Sequence, residues 1–209
     1  MGRRLLPFTL ACLLAAGCGS RSDYELQELR RLAAGTVPGD DISSLLALEA
    51  SLPADAAGPI GRSRLLIAAR MSSLGFPPRS LGPLLKVALD DPADAFQKLG
   101  TDHLSLSALR QLSAAIQSGR GGQAAADLPP DFNLLTAAGQ MLAGLALAKK
   151  GDHQGLAEVI EALEFLAAAE GALPPHLVTG AATCLARLDR VSGSRSSALA
   201  TLLEVQLTP

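Results

Sequence analysis

From Ser22 onward, apolar residues recur at the three- and four-residue spacing of a helix face, and glycine and proline interrupt the runs. No convincing run alternates with the period of two that marks a strand. The pattern predicts an all-α chain of about nine helices, at 23–34, 41–51, 61–74, 80–90, 104–118, 132–150, 153–169, 176–191 and 195–207. A short extra turn is expected after Asp91-Pro92. Ser22-Asp23-Tyr24-Glu25 reads as a capping box, and Asp131, Asp152 and Ser194 stand where side chains cap first turns. Pro175 suits a first turn, while Gly35, Gly75, Gly119, Gly151 and Gly171 are expected stops. In the eighth helix Leu177, Ala181, Cys184, Leu185, Leu188 and Val191 fall on one stripe. In the seventh, Leu156, Val159, Ile160 and Leu163 are expected to face inward, with Glu158, Glu161 and Glu164 toward water.

A motif recurs after the glycines. Leu81-x-x-Leu84-Leu85-Lys86-Val87 is matched by Leu156-x-x-Val159-Ile160-Glu161-Ala162 and by Leu199-x-x-Leu202-Leu203-Glu204-Val205. A looser copy is Ile42-x-x-Leu45-Leu46-Ala47-Leu48. The spacing lies in the range of helical-hairpin repeats. With Gly144 and Gly151-Asp152, the pattern weakly resembles tetratricopeptide-like arrays, which implies an α-solenoid. The Trp and Tyr positions of that repeat are absent, and any set of packed helical hairpins with glycine stops gives the same pattern. An α-solenoid and an irregular bundle therefore both remain open. Gly119–Pro130 (GRGGQAAADLPP) is the best internal boundary. It divides an N-terminal helical half, 23–118, from a C-terminal half, 131–209, with 119–130 as a flexible linker.

The first residues have a different character. Met1-Gly2-Arg3-Arg4 is basic, Leu5 to Ala16 is apolar, and small residues follow, which are the parts of a secretory signal. The apolar run is too short to cross a bilayer as a helix, which takes roughly 20 residues. Leu14-Ala15-Ala16-Gly17-Cys18 resembles the lipobox of bacterial lipoprotein precursors. That resemblance covers only residues 1–18. It implies a cleaved signal peptide at 1–17, a diacylglycerol on the Cys18 sulfur, commonly an acylated (palmitate-type) amino group, and a lipidated tether at 18–22. A thiol suits this chemistry because the thiolate is the strong nucleophile. Gly19, rather than Asp, follows the cysteine, and this resembles the pattern of lipoproteins sent to the outer membrane. Two or more acyl chains hold a protein stably, whereas one gives only marginal binding. An ordinary secretory signal is the competing reading. N-myristoylation at Gly2 is disfavoured by Leu6, where Ser or Thr is wanted.

Composition narrows the function classes. Cleavage before Cys18 removes Arg3 and Arg4, leaving 16 basic against 20 acidic side chains. So mild a balance argues against a nucleic-acid partner, which needs a concentrated basic face. With no Trp and only Tyr24 and four Phe in the mature part, glycan and nucleobase stacking platforms are also disfavoured. Cys12 leaves with the signal and Cys18 takes the lipid, so Cys184 has no disulfide partner.

Candidate chemistry is sparse. His103, His153 and His176 lie far apart and make no His-x-x-x-His pair, so no metal site is expected. Cys184 reads as a buried small hydrophobe, with Arg187 and Arg190 toward the other side of its helix. Gly119-Arg120-Gly121-Gly122 follows a helix and lacks the Lys-Ser/Thr ending of a phosphate loop. Asp40-Asp41 and Asp90-Asp91-Asp94 sit at helix starts, where the helix dipole favours negative charge. No catalytic set and no cofactor is expected. The expected function is that of a lipid-anchored, non-catalytic scaffold binding another envelope protein. The alternative is a module binding a lipid or other apolar small molecule.

Overall fold

The computed structural model describes residues 58–76, 81–100 and 103–205. The signal segment, Cys18, and the helices expected at 23–34 and 41–51 lie outside these residues. The described residues form eight α-helices and no strand: α1 Gly58–Ser73, α2 Leu81–Asp90, α3 Pro92–Lys98, α4 Leu106–Arg120, α5 Pro130–Lys149, α6 Gln154–Ala167, α7 Pro175–Leu188 and α8 Arg195–Leu202.

α5 organises the rest because its sequence is apolar on every side but for Asn133, Thr136 and Gln140. From Phe132 to Ala148 only Leu134 is less than fully buried, as expected of a helix that presents no charged face along this stretch. α1, α2, α3, α4 and α6 all pack on it. α6 in turn carries α7 and α8, and α7 reaches across to α2. One continuous apolar core runs from Ile67 in α1 to Leu203 after α8, so both sides of the expected 119–130 boundary share it.

Helix ends follow local chemistry. Asp91 accepts the Asp94 amide at 3.0 Å with Pro92 in the first turn, so the expected short turn is a seven-residue helix. Ser105 and Ser194 cap α4 and α8 through the amides of Ala108 and Ser197, each at 3.1 Å. Asp152 accepts the Gln154 amide at 3.1 Å, and the cap position itself falls on His153. Asp131 is not the cap of α5. Pro129 precedes the helix, Pro130 opens it where a missing N–H costs nothing, and Asp131 lies inside the first turn, 2.5 Å from Arg64.

Gly119 is not a stop. α4 continues through it to Arg120, and Gly121, at φ +57°, supplies the left-handed turn. A Cβ on Gly119 would stand 3.1 Å from Ser63 Cβ and 3.2 Å from Ile67 Cδ1, so this glycine lets α1 and α4 touch. The chain then crosses to α5 through a 3₁₀ turn, Ala125–Asp127, with Ala125 and Leu128 buried. Asn133 in α5 ties that crossing down, its Nδ2 donating to the carbonyls of Ala125 at 2.7 Å and Leu128 at 3.2 Å.

Among the glycines of the described residues, the tightest approach joins α5 to α6. A Cβ on Gly144 would lie 2.7 Å from Gly155 O and 2.8 Å from Val159 Cγ2, and one on Gly155 would strike Ala148 N and Gly144 O. Only glycine at both positions lets the two backbones meet. At the C-terminus of α5, Lys149 Nζ donates to the carbonyls of Phe96 (3.3 Å), Gln97 (3.1 Å) and Leu99 (2.8 Å). This ammonium satisfies the C-terminus of α3 and complements its dipole.

Candidate functional site

Three features hold polar, nucleophilic or open apolar character: a buried polar joint, a thiol beside a small cavity, and an open groove. The joint lies between α4, α5 and α6. Ser113 and Gln117, one turn apart on α4, reach a carboxylate on α6. Ser113 Oγ donates to Glu158 Oε1 at 2.5 Å and Gln117 Nε2 donates to the same oxygen at 3.3 Å. From α5, Gln140 Nε2 donates to Glu158 Oε2 at 2.9 Å, while Gln140 Oε1 accepts from Arg120 Nη1 at 2.5 Å. One amide thus links an anion to a cation, with its oxygen toward the guanidinium and its NH₂ toward the carboxylate.

Glu158 is 2% exposed, so the expectation that it points to water is overturned; Glu161 and Glu164 do face solvent. The carboxylate avoids the large cost of burying an unpaired charge by holding three donors. Arg120 is buried too, and its guanidinium lies 3.7 Å from the centroid of the Phe165 ring. Burial pulls Arg120 down to about 10, opposed by Glu161 and Glu158, so it remains charged at neutral pH.

Cys184 is buried on the stripe of α7 with Leu177, Ala181, Leu185 and Leu188, whereas Val191 lies outside α7 and is exposed. The thiol donates to Leu89 O at 3.1 Å. Burial pushes the thiol up, Arg187 draws it down and Asp90 adds to the rise. Arg187 lines the same cavity as Cys184, which corrects the expectation that it lies on the far side of the helix. That cavity is about 10 Å³, room for one water at most.

The groove is larger. Leu84 and Val87 of α2, Ala95 of α3 and Leu99 just after it, and Leu142 and Leu145 of α5 line an open, largely apolar channel of about 330 Å³, with Phe76 and Lys98 also in its lining. Val87 is 44% exposed there. Neither Glu158 nor Arg120 lines this groove or the cavity at Cys184.

The sequence-predicted residues do not converge. His103, His153 and His176 are exposed, at the approach to α4, the start of α6 and the first turn of α7. Among the described residues, no group of three His, Cys, Asp or Glu could hold a metal ion. No described helix is long and apolar enough to cross a membrane. Cys18 lies outside the described residues. Sequence reasoning missed the polar joint, although its signal was present: Asn133, Thr136 and Gln140 are polar residues in an otherwise apolar helix, and each needed a buried partner. Comparison with family models, characterised proteins and solved structures finds no match to this chain.

Proposed function

We propose that this chain is a lipoprotein precursor whose mature form, anchored through lipid on Cys18, serves as a non-catalytic protein-interaction scaffold in a bacterial cell envelope. The location in this reading rests on Leu14-Ala15-Ala16-Gly17-Cys18, and Gly19 favours the periplasmic face of the outer membrane. The binding role rests on one observation, the open apolar groove of about 330 Å³ between α2, α3 and α5. A groove lined by Leu84, Val87, Ala95 and Leu142 suits the apolar face of a partner helix, one of the recurrent modes of peptide recognition. The way five helices surround α5 favours an irregular bundle of helical hairpins over a regular solenoid, in which each unit touches only its neighbours.

Two measurements test this. Intact mass of membrane-extracted protein is expected to show a chain beginning at Cys18 and carrying lipid, with Cys18→Ser released from the membrane; an unlipidated wild type starting elsewhere defeats the anchor. Recovery of the same envelope protein by wild type but not by Leu84→Asp supports the scaffold, and recovery unaffected by Leu84→Asp rules out the groove as its site.

The second reading, a lipid or apolar-ligand module, is favoured by the groove's size, which reaches the lower end of small-molecule sites at roughly 300 Å³. The cavity enclosed at Cys184, about 10 Å³, offers it nothing. Saturable displacement of a fluorescent fatty acid from wild type, lost in Leu84→Asp, would select this reading over the first.

A further inference from the structure

The groove between α2, α3 and α5 is apolar along its length but not neutral. Leu142 and Leu145 of α5 lie buried beneath it, while Val87 of α2 stands exposed at its edge. Among the described residues that line it, Lys98 alone carries a charge. Lys98 closes α3, next to Leu99 and Gly100, which also line the groove. Its exposed ammonium lies 2.9 Å from both carboxylate oxygens of Asp94, one turn back on the same helix.

We infer that the occupant of this groove is a partner helix whose apolar stripe is flanked by an acidic side chain, seated with that carboxylate at Lys98. The inference rests on the reading of the groove as a helix seat and adds the chemistry and the direction of the partner. Three observations carry it. The first is cover. A single acyl chain laid over Leu142 and Leu145 would leave the outer side of Val87 in water, whereas a helix, roughly 10 Å across with its side chains, covers floor and edge together. The second is charge. At the end of the groove beside Lys98, the carbonyls of Phe96, Gln97 and Leu99 would repel an anion, but all three are taken by Lys149 Nζ. The acidic groups nearby are engaged elsewhere: Asp91 caps α3 through the Asp94 amide, Asp94 holds Lys98, and Asp90 bears on the Cys184 thiol of α7. The third is the availability of Lys98. An exposed i, i+4 pair contributes only about 0.3–0.5 kcal/mol, and an ammonium has three donors, so a second carboxylate joins Asp94 without a large loss. A charge at the edge of an interface sets approach and orientation more than affinity, so Lys98 fixes which way the helix lies.

The test uses the full chain carrying Cys18→Ser and two synthetic helical peptides, read by fluorescence anisotropy. Both peptides carry leucines at i, i+3, i+4 and i+7; one has Glu beside the stripe and the other has Lys there. The Glu peptide is expected to bind about three- to tenfold more tightly at low salt, with the difference fading as salt shortens the screening length from roughly 30 Å to roughly 3 Å. Lys98→Glu should invert the order, and Lys98→Met should erase it should the reversed charge beside Asp94 disturb α3. Val87→Arg should abolish binding of both. Equal affinity for the two peptides in the unaltered chain, lost for both in Val87→Arg, overturns the acidic partner and leaves the groove as a helix seat. Failure of both peptides to bind, or binding unaffected by Val87→Arg, removes the seat and the inference with it. Dodecanoate binding in the groove where neither peptide binds overturns the inference and assigns the groove to an anionic amphiphile.

Discussion

The joint at Glu158 and the groove at Val87 both abut α5, yet they solve opposite problems. Where α4, α5 and α6 meet, every oxygen of a buried carboxylate finds a donor from another helix, and Gly144 and Gly155 bring backbones into contact. Where α2, α3 and α5 line the groove, the surface is mostly apolar, with Lys98 among its lining residues, and it stands open. Apolar packing is non-directional and tolerates many arrangements. A carboxylate held by Ser113, Gln117 and Gln140 tolerates one. The difference separates a joint held by directional hydrogen bonds from a groove whose apolar surface stands open.

Removing the anion from the joint should have the largest effect. Glu158→Ala strands Gln140 and removes one of the two carboxylates that offset the burial of Arg120, Glu161 remaining; breaking a buried charge network by removing one member costs about 3–5 kcal/mol. Chemical denaturation should show that drop. The triple variant Glu158→Leu, Arg120→Met, Gln140→Leu sharpens the point. It is expected to match or exceed wild-type stability, since well-packed apolar replacements of buried ion pairs often do, while giving broader amide NMR spectra. Sharp spectra from that variant would show that the polar joint is not what specifies the arrangement.

Next in size is Gly155→Ala. In an exposed helix this change gains up to about 1 kcal/mol, but here the added Cβ meets backbone atoms of α5. Overpacking of this kind costs about 1–3 kcal/mol, so the sign reverses and thermal unfolding should report it.

In the groove the same measurements should barely move. Val87→Arg sits on an exposed position and is expected to change stability by no more than about 0.5 kcal/mol, while abolishing capture of a partner that depends on the groove. A large loss of stability in Val87→Arg would mean that the groove is filled by the chain itself.

The smallest effect belongs to the surface cluster of Arg195 with Asp189 and Glu164, at 2.6 Å to each. Its hydrogen bond to Arg195 holds Asp189 below the ordinary carboxylate value of 3.8. A folded-state value below the unfolded one contributes stability above pH 3.8, lost as acidification passes through the folded value. The groups are solvent-exposed and screened, so Arg195→Gln should remove only a slight part of the acid sensitivity in thermal melts between about pH 6 and about pH 2.

Among the described residues, helix positions were legible because each carries local signals: the stripe of α7, the caps Ser194 and Asp91, the glycine turns at Gly75, Gly151 and Gly171. Where two signals competed, the weaker was read. Pro129-Pro130 opened α5 ahead of Asp131, and Gly121 ended α4 after Gly119 had been expected to. Glu158 was illegible for a different reason. Glu158, Glu161 and Glu164 follow one another at three-residue steps, which suits a solvated stripe, and the distinction among them depends on α4 lying across the first. No local pattern carries a contact made 45 residues away. The open groove was equally invisible, because Leu84 and Val87 look like core positions until the helices are placed.

The joint also has a consequence in time. Glu158 receives donors from α4 and α5, so α6 cannot lose water from its carboxylate until both have arrived. Formation of one pair without the third helix strands a charge, which raises the free energy of any half-built intermediate. Amide exchange should therefore report α4, α5 and α6 opening together at one free energy, with α8 and the α2–α3 edge opening earlier and separately. Three helices that are consecutive in the chain would then behave as one step in its unfolding.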